Sequence, residues 1–396
     1  MRINSDFDGG NIELITMDSP DNIQLNIQRD NNADFQQIFY FQALDVKGLD
    51  CTFRIMNAWQ AAYTEAWPGT TVLVSYDGED WFRIPATFNE KELEFSLIPE
   101  HDSVFLSLFA PYSLERHQAT ISHSLKSDRC RLQGIGKSVE GRNVEILALG
   151  KPAPQKPKIW VIARQHPAEA MAEWYAEGLL DRLCAGSDPT TLALLEQAEF
   201  YIVPNINPDG SFHGNIRTNA AGIDLNRAWQ ETSTEKSPEV HFVLGQMTEI
   251  GVDFFMDVHG EEVTEYIFPC GCEGNPGFTP GIKALEEKFY REYEAANPEF
   301  QWSYRYPMEE PGTADLSIAN NHVGQRFGCL SLAIEMPFKD NVNAPDPHRG
   351  WSTERSMNLG ASLLEPLLTV LDELRCSPSG FNKVYLPQTM KIAHLP

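Results

Sequence analysis

The sequence predicts an α/β protein: a mixed, largely parallel sheet flanked by helices, preceded by an all-β sandwich domain. From residue 158 onward, continuous apolar runs alternate with amphipathic stretches. That is the pattern of strands buried on both faces and covered by helices. Before residue 118, short alternating runs are cut by Asp, Asn, Gly and Pro turns, as in antiparallel sheets with one buried face. The length of 396 residues and an apolar share of 42% supply enough material for two or three domains with a sizeable core.

In the N-terminal part, Ile12-Glu13-Leu14-Ile15-Thr16 and Gln24-Leu25-Asn26-Ile27 read as short strands. Asp77-Gly78 between Thr71-Val72-Leu73-Val74-Ser75 and Trp81-Phe82-Arg83-Ile84 is a hairpin signal. Residues 119–150 are expected to bridge, and Lys151-Pro152-Ala153-Pro154-Gln155-Lys156-Pro157 reads as a stiff loop. The division predicted is 1–118 for the sandwich and 119–396 for the second domain. Strands are expected near 158–165, 199–205, 253–259 and 329–335. Helices are expected near 168–185, 238–250, 280–296 and 352–375. Open sheets of this class bind ligands beyond the carboxyl ends of their strands. His166, Asn207, His259 and Glu335 all fall at or just after such ends.

Composition removes several functions. A net charge of −25 argues against nucleic acid, which demands Lys/Arg clusters to neutralise phosphates, and against anionic membranes. No apolar run of 18 residues suggests a membrane span, and the first residues carry no apolar leader core. Seven scattered Cys suit reduced thiols better than a disulfide framework. A cytoplasmic setting is therefore expected. Cys270-Gly271-Cys272, His213 and His241 are read as structural.

The chemistry begins at His166-Pro167-Ala168-Glu169. A His and a carboxylate three residues apart at a strand-to-helix junction can converge on one cation, and Zn²⁺ accepts both donor types together. His259, in Phe254-Phe255-Met256-Asp257-Val258-His259, is a candidate third ligand. Asn207-Pro208-Asp209-Gly210 follows another strand, then come Arg217 and Gly222-Ile223-Asp224-Leu225-Asn226-Arg227. Glu335 closes the apolar run that starts at Leu330. In this order the elements resemble the zinc metallocarboxypeptidases of the carboxypeptidase A superfamily, over about residues 125–375. Ala110-Pro111-Tyr112-Ser113, just before them, resembles the cytosolic carboxypeptidase subfamily.

The resemblance implies one Zn²⁺ per chain, held by His166, Glu169 and His259 with a position left for water. It implies Glu335 as general base and later acid, and Arg217 as the fixed cation for an oxyanion. Asn226 and Arg227 would clamp the free carboxylate of a peptide or protein C-terminus. Asp224 would accept the second ring N–H of His166. Pancreatic-type relatives place a Tyr shortly before the catalytic Glu, yet residues 313–335 contain none; Tyr304 and Tyr306 lie upstream. Gly312-Thr313-Ala314-Asp315 resembles a step of the cytosolic enzymes in which a basic residue follows. Asp315 is thus either a pocket residue selecting a C-terminal Lys or Arg, or a helix cap.

A same-fold alternative is a zinc amidohydrolase of small N-acyl amino acids, resembling aspartoacylase or succinylglutamate desuccinylase. Asn207-Pro208-Asp209-Gly210 and the N-terminal sandwich favour the peptidase. A binding protein with a relic site is the alternative of another class, and the intact set of His166, Glu169, His259, Glu335 and Arg217 counts against it. The sequence leaves the oligomeric state open.

Overall fold

The computed structural model describes residues 1–375. Its N-terminal sheet has nine strands: β1 (Arg2–Asn4), β2 (Glu13–Ser19), β3 (Asn22–Asn26), β4 (Tyr40–Leu44), β5 (Cys51–Ile55), β6 (Thr71–Ser75), β7 (Phe82–Phe88), β8 (Leu93–Leu97) and β9 (Ser103–Ser107). They lie in the order β1-β4-β9-β6-β7-β8-β5-β3-β2. The two halves share β7, whose Phe82–Pro85 part pairs with β6 and whose Ala86–Phe88 part pairs with β8. Every second residue of β3, β4 and β5 is buried, as the period-two pattern requires. Rings from the two halves then meet: Phe39 stacks on Phe95 at 5.8 Å, and Phe41 packs against Phe53 at 5.6 Å. The expected sandwich is therefore one sheet folded over at β7.

A helix, α1 (Leu114–Ser124), follows the β layer, with Ser113 as its cap. The division expected at 118/119 falls within this helix. The second sheet contains β10 (Cys130–Lys137), β11 (Asn143–Leu149), β12 (Lys158–Ala163), β13 (Glu199–Val203), β14 (Phe254–Glu261), β15 (Phe268–Cys270) and β16 (Leu330–Pro337), in the order β10-β11-β13-β12-β14-β16-β15. The central four are parallel; β10, β11 and β15 run antiparallel at the edges. The fold is the mixed sheet that the sequence predicts. The helices are α2 (Ala170–Ala185), α3 (Pro189–Gln197), α4 (Pro208–His213), α5 (Pro238–Ile250), α6 (Pro280–Ala296), α7 (Ala319–Phe327), α8 (Thr353–Ala361) and α9 (Leu364–Arg375).

Two expectations differ from the structure. Residues 119–150, read as a bridge, hold α1 and the β10–β11 hairpin. β10 is half exposed and bulged between Leu132 and Gly134, so its alternation is broken. The single helix expected over 352–375 is two, α8 and α9. Pro366 lies in the first turn of α9, the place where a missing backbone N–H costs nothing; inside a longer helix it would remove a bond and clash.

Core packing runs across both sheets without interruption, from Phe41 and Phe53 to Val161, Met256 and Leu332. Arg83 of β7 ties the two together, donating to the carbonyls of Phe338, Arg349 and Trp351 at 2.8–3.2 Å.

Candidate active site

β12 ends at Ala163, and the next residue turns the chain sharply. Arg164 adopts φ +63°, a conformation non-glycine residues rarely hold unless neighbours enforce it. Here its side chain is tied to Pro167 O (2.9 Å), Tyr112 O (2.8 Å) and Glu173 (2.7 Å). The turn delivers His166, and Glu169 stands immediately before α2 with its side chain free of any capping bond. Asn-Pro-Asp-Gly supports this loop from below. Asn207 accepts from Gly210 N and donates to Gln165 O. Any side chain at position 210 would strike Pro167 and Thr218 O. The buried Asp209 takes bonds from Ser138, Arg142 and the Glu140 amide, fastening the hairpin.

The expected ligand atoms converge. His166 Nδ1 lies 2.6 Å from one oxygen of Glu169, and His259 Nδ1 lies 2.8 Å from the other. Donor atoms of all three residues fall within 4.8 Å of one another, and all three residues are buried. Each His is backed by an acid on its other nitrogen. His166 Nε2 meets Asp224 at 3.1 Å, and His259 Nε2 meets Asp257 at 2.8 Å. An acid that takes the N–H at each Nε2 would leave each Nδ1 free to hold a cation at the point where they converge. Two imidazole nitrogens and a carboxylate oxygen at such a point fit Zn²⁺. Burial would raise the Glu169 carboxyl, but the two imidazoles outweigh it and hold it at about 2. Asp224 follows the same logic: burial opposes ionisation, and His166 with Arg217 hold it well below the usual range.

These residues border a cavity of about 490 Å³ that also includes Glu335, Arg217, Asn226 and Arg227. Glu335 of β16 is the direct partner of His259 across the parallel ladder, so two strand ends put base candidate and ligand side by side. Burial first, and then Glu169, Glu261 and Glu262 against the opposing pull of His259, push its carboxyl upward. Arg217 Nε donates to Asp224 at 2.7 Å. Asn226 accepts from Ala319 N through Oδ1, which turns its amide nitrogen toward His259 at 3.4 Å. Arg227 is exposed and forms no ion pair among the described residues; its guanidinium donates to Asn226 O.

Asp315 is not brought to the cavity. It is exposed, and its carboxylate accepts from the amide and hydroxyl of Ser317 at 2.9 and 2.7 Å. Asp315 makes a local turn ahead of α7. Of the two upstream tyrosines, Tyr306 lines the cavity, whereas Tyr304 stacks on Tyr266 at 4.9 Å outside it. Cys270 is part of the cavity wall, and Cys272 is buried against Ser331 O. His213 bonds Glu140 and His241 bonds Thr232, away from the ligand set.

Several site residues escaped the sequence reading. Asp257 had a signal: it stands two positions before His259 on one strand, hence on the same face. Tyr63 and Glu65 come from the N-terminal sheet region, and Glu262, Glu273 and Arg305 line the far wall; no motif marked them.

Residues 121–289 match the family model described as zinc carboxypeptidase, and residues 3–109 match the cytosolic carboxypeptidase N-terminal domain. A solved metallo-carboxypeptidase from Pseudomonas aeruginosa is 46% identical, with a TM-score of 0.93 over 94% of this chain and 100% of that one. An uncharacterized protein of Zymomonas mobilis is 39% identical over 95% of this chain and 98% of its own length. Human cytosolic carboxypeptidase 2 is 30% identical over 190 residues, 44% of this chain and 21% of that longer protein. The chain belongs to the zinc carboxypeptidase family, peptidase family M14, and carries the N-terminal domain of its cytosolic branch. It is a peptidase, and none of its described helices is long and apolar enough to cross a membrane.

Proposed function

We propose that the protein removes the C-terminal residue of peptides or proteins, with one Zn²⁺ per chain held by His166, Glu169 and His259. The observation that carries this reading is the shared cavity: three convergent ligand atoms with Glu335 beside them and unpaired Arg227 in the same wall. A bound zinc supplies a Lewis acid that polarises the scissile carbonyl and makes water a competent nucleophile. Glu335 takes the proton of the attacking water and returns it to the leaving amine. Arg217, fixed by Asp224, faces the carbonyl oxygen as its negative charge develops. Arg227 and the Asn226 amide hold the free carboxylate, since a planar guanidinium reads two oxygens at once. Asp224 and Asp257 hold the two imidazoles in the tautomer that presents Nδ1.

A division into an N-terminal β domain and a catalytic domain, meeting at α1 where 118/119 was expected, is part of the same reading, and so is a cytoplasmic location, which the cytosolic relatives favour. The Pseudomonas relative is described in complex with (2-guanidinoethylmercapto)succinic acid, a ligand with carboxylates and a guanidino group. That pairing suits a cavity with an arginine clamp and several glutamates. The test is cleavage of N-benzoyl-glycyl dipeptides ending in Arg, Lys, Leu, Phe or Glu, each as free acid and as amide. Hydrolysis of free acids alone supports an exopeptidase; equal cleavage of the amides defeats it. Turnover of N-acetyl-aspartate in place of any dipeptide would return the amidohydrolase reading.

A further inference from the structure

The loop that carries Arg217 is fastened chiefly by residues of the N-terminal domain. Asp30, only 4% exposed, accepts from three consecutive backbone amides: Ile216 at 2.6 Å, Arg217 at 2.9 Å and Thr218 at 2.8 Å. It takes the Thr218 hydroxyl as well, at 3.1 Å. On either side, Asn11 donates to Gly214 O and Asn32 donates to Ala220 O. Gly222, at φ +78°, lies so close under Asn32 O that no side chain fits there. One carboxylate holding three successive amides fixes a backbone segment in the way a helix cap does.

The guanidinium is held from the same direction. Arg217 Nη1 donates to Tyr63 Oη at 2.5 Å, and the Phe35 ring lies 5.8 Å from its Cζ. Tyr63 lines the cavity together with His166, Glu169 and Glu335. Its oxygen is used as an acceptor by Arg217, so its own hydrogen needs another partner. No oxygen among the described residues takes it.

We infer that the N-terminal domain completes the catalytic centre: Tyr63 orients Arg217 and offers its O–H to a carbonyl oxygen of the substrate, while Asp30 is a positioning residue for the backbone of Arg217. The inference rests on the reading of Arg217 as the oxyanion cation. A phenol O–H and a guanidinium N–H held against one another form a two-donor site of the kind that stabilises developing negative charge. Neither donor has to reorganise during the reaction, because Asp30, Asp224 and the Phe35 ring hold them beforehand.

The test uses the full chain loaded with zinc and the best N-benzoyl-glycyl dipeptide of the series above. Tyr63→Phe removes one hydroxyl and leaves the ring. Its kcat is expected to fall about 100-fold with KM nearly unchanged and zinc content intact, at the lower end of the range for loss of one such donor. In an Arg217→Ala background the same change should cost far less, since both act on one oxygen. Asp30→Asn should lower kcat as well, with Tyr63→Phe serving as the informative variant if Asp30→Asn fails to fold. If Arg217→Ala is crippled while Tyr63→Phe keeps kcat within about twofold, the inference is wrong and the reading of Arg217 stands. If Arg217→Ala itself keeps its kcat, both fall together.

Discussion

The two sides of the cavity are built on different principles. On one side, His166, Glu169, His259 and Glu335 come from the ends of neighbouring parallel strands, and the ladder pairing of His259 with Glu335 sets their spacing. On the other, Arg217, Asn226 and Arg227 sit on a loop and a 3₁₀ turn (Leu225–Arg227). That side depends on Asp30 and Tyr63, remote in sequence, and on Asn219 and Glu239 nearer by. Strand ends inherit their geometry from the core, whereas a loop has to be tied down bond by bond.

The largest effect should come from the strand side. Glu335→Gln is expected to lower kcat by about 10²–10⁴-fold while the fold and the zinc content stay as in the parent, because only proton transfer is lost. Steady-state kinetics with elemental analysis checks this. A variant retaining a tenth or so of the parental rate would mean that the proton leaves by another route.

Metal content separates ligands from their supports. His166→Ala should purify with almost no zinc. Asp257→Asn should keep its fold and bind zinc about 10- to 100-fold more weakly, as expected when the acid behind a ligand histidine is neutralised. Chelator competition measures both. Unchanged affinity in Asp257→Asn would leave His259 oriented by its strand alone.

On the loop side, Arg227→Ala should raise KM for free-acid dipeptides and reduce kcat/KM about 10- to 100-fold, the usual worth of charge-assisted hydrogen bonds. The same variant should treat amidated dipeptides no worse than the parent does. A kcat loss with unchanged KM would place Arg227 in the transition state instead of the carboxylate clamp.

The loop side also carries a pH dependence. Glu239 is fully buried and bonds Asn219, whose own carbonyl oxygen takes the amides of Ala221 and Ile223. Burial, with Asp209 adding to it against the amides of Val139 and Asn219, raises its carboxyl from 4.5 to about 7. A raised acid binds its proton more tightly in the folded state, so folding loses stability as pH climbs from 4.5 to about 7 and carries the full penalty above that. Glu239→Gln should therefore be more stable than the parent at pH 8, by on the order of 1–3 kcal/mol, and no more stable at pH 4.5. Denaturant midpoints at the two pH values decide it; a gain of equal size at both would mean that charge is not the cause.

The smallest effect is expected at Asp315. Asp315→Asn should leave the ranking of C-terminal residues unchanged, since the side chain bonds Ser317 outside the cavity. A shift in preference between Lys and Glu would put it back at the substrate.

Much of the strand side was legible in the chain. An apolar run with a His or a Glu at or within a few residues of its end announces both a buried strand and what stands there, and β12, β14 and β16 obey that rule. Asp257 could have been found as well, since period two puts it on the face of His259. The loop side was only half legible. Asp224, Asn226 and Arg227 stand close together and have a motif, but Asp30 and Tyr63 are separated from Arg217 by 187 and 154 residues, and nothing local marks either. The Gly-Thr-Ala-Asp step was legible as a motif only: three matching residues do not determine where a loop points.

By itself the sequence determined the class of both sheets, the candidate ligand set and its order, and the family to which the chain belongs. These follow from short-range periodicity and from residue types whose chemistry is intrinsic. Only the tertiary structure decided that Tyr63 and Glu65, from the N-terminal region, line the cavity, and that Tyr306 lines it while Tyr304 does not. Those outcomes depend on how two independently patterned sheets dock, and docking is governed by shape and by hydrogen bonds between distant residues, which leave no periodic trace in the chain.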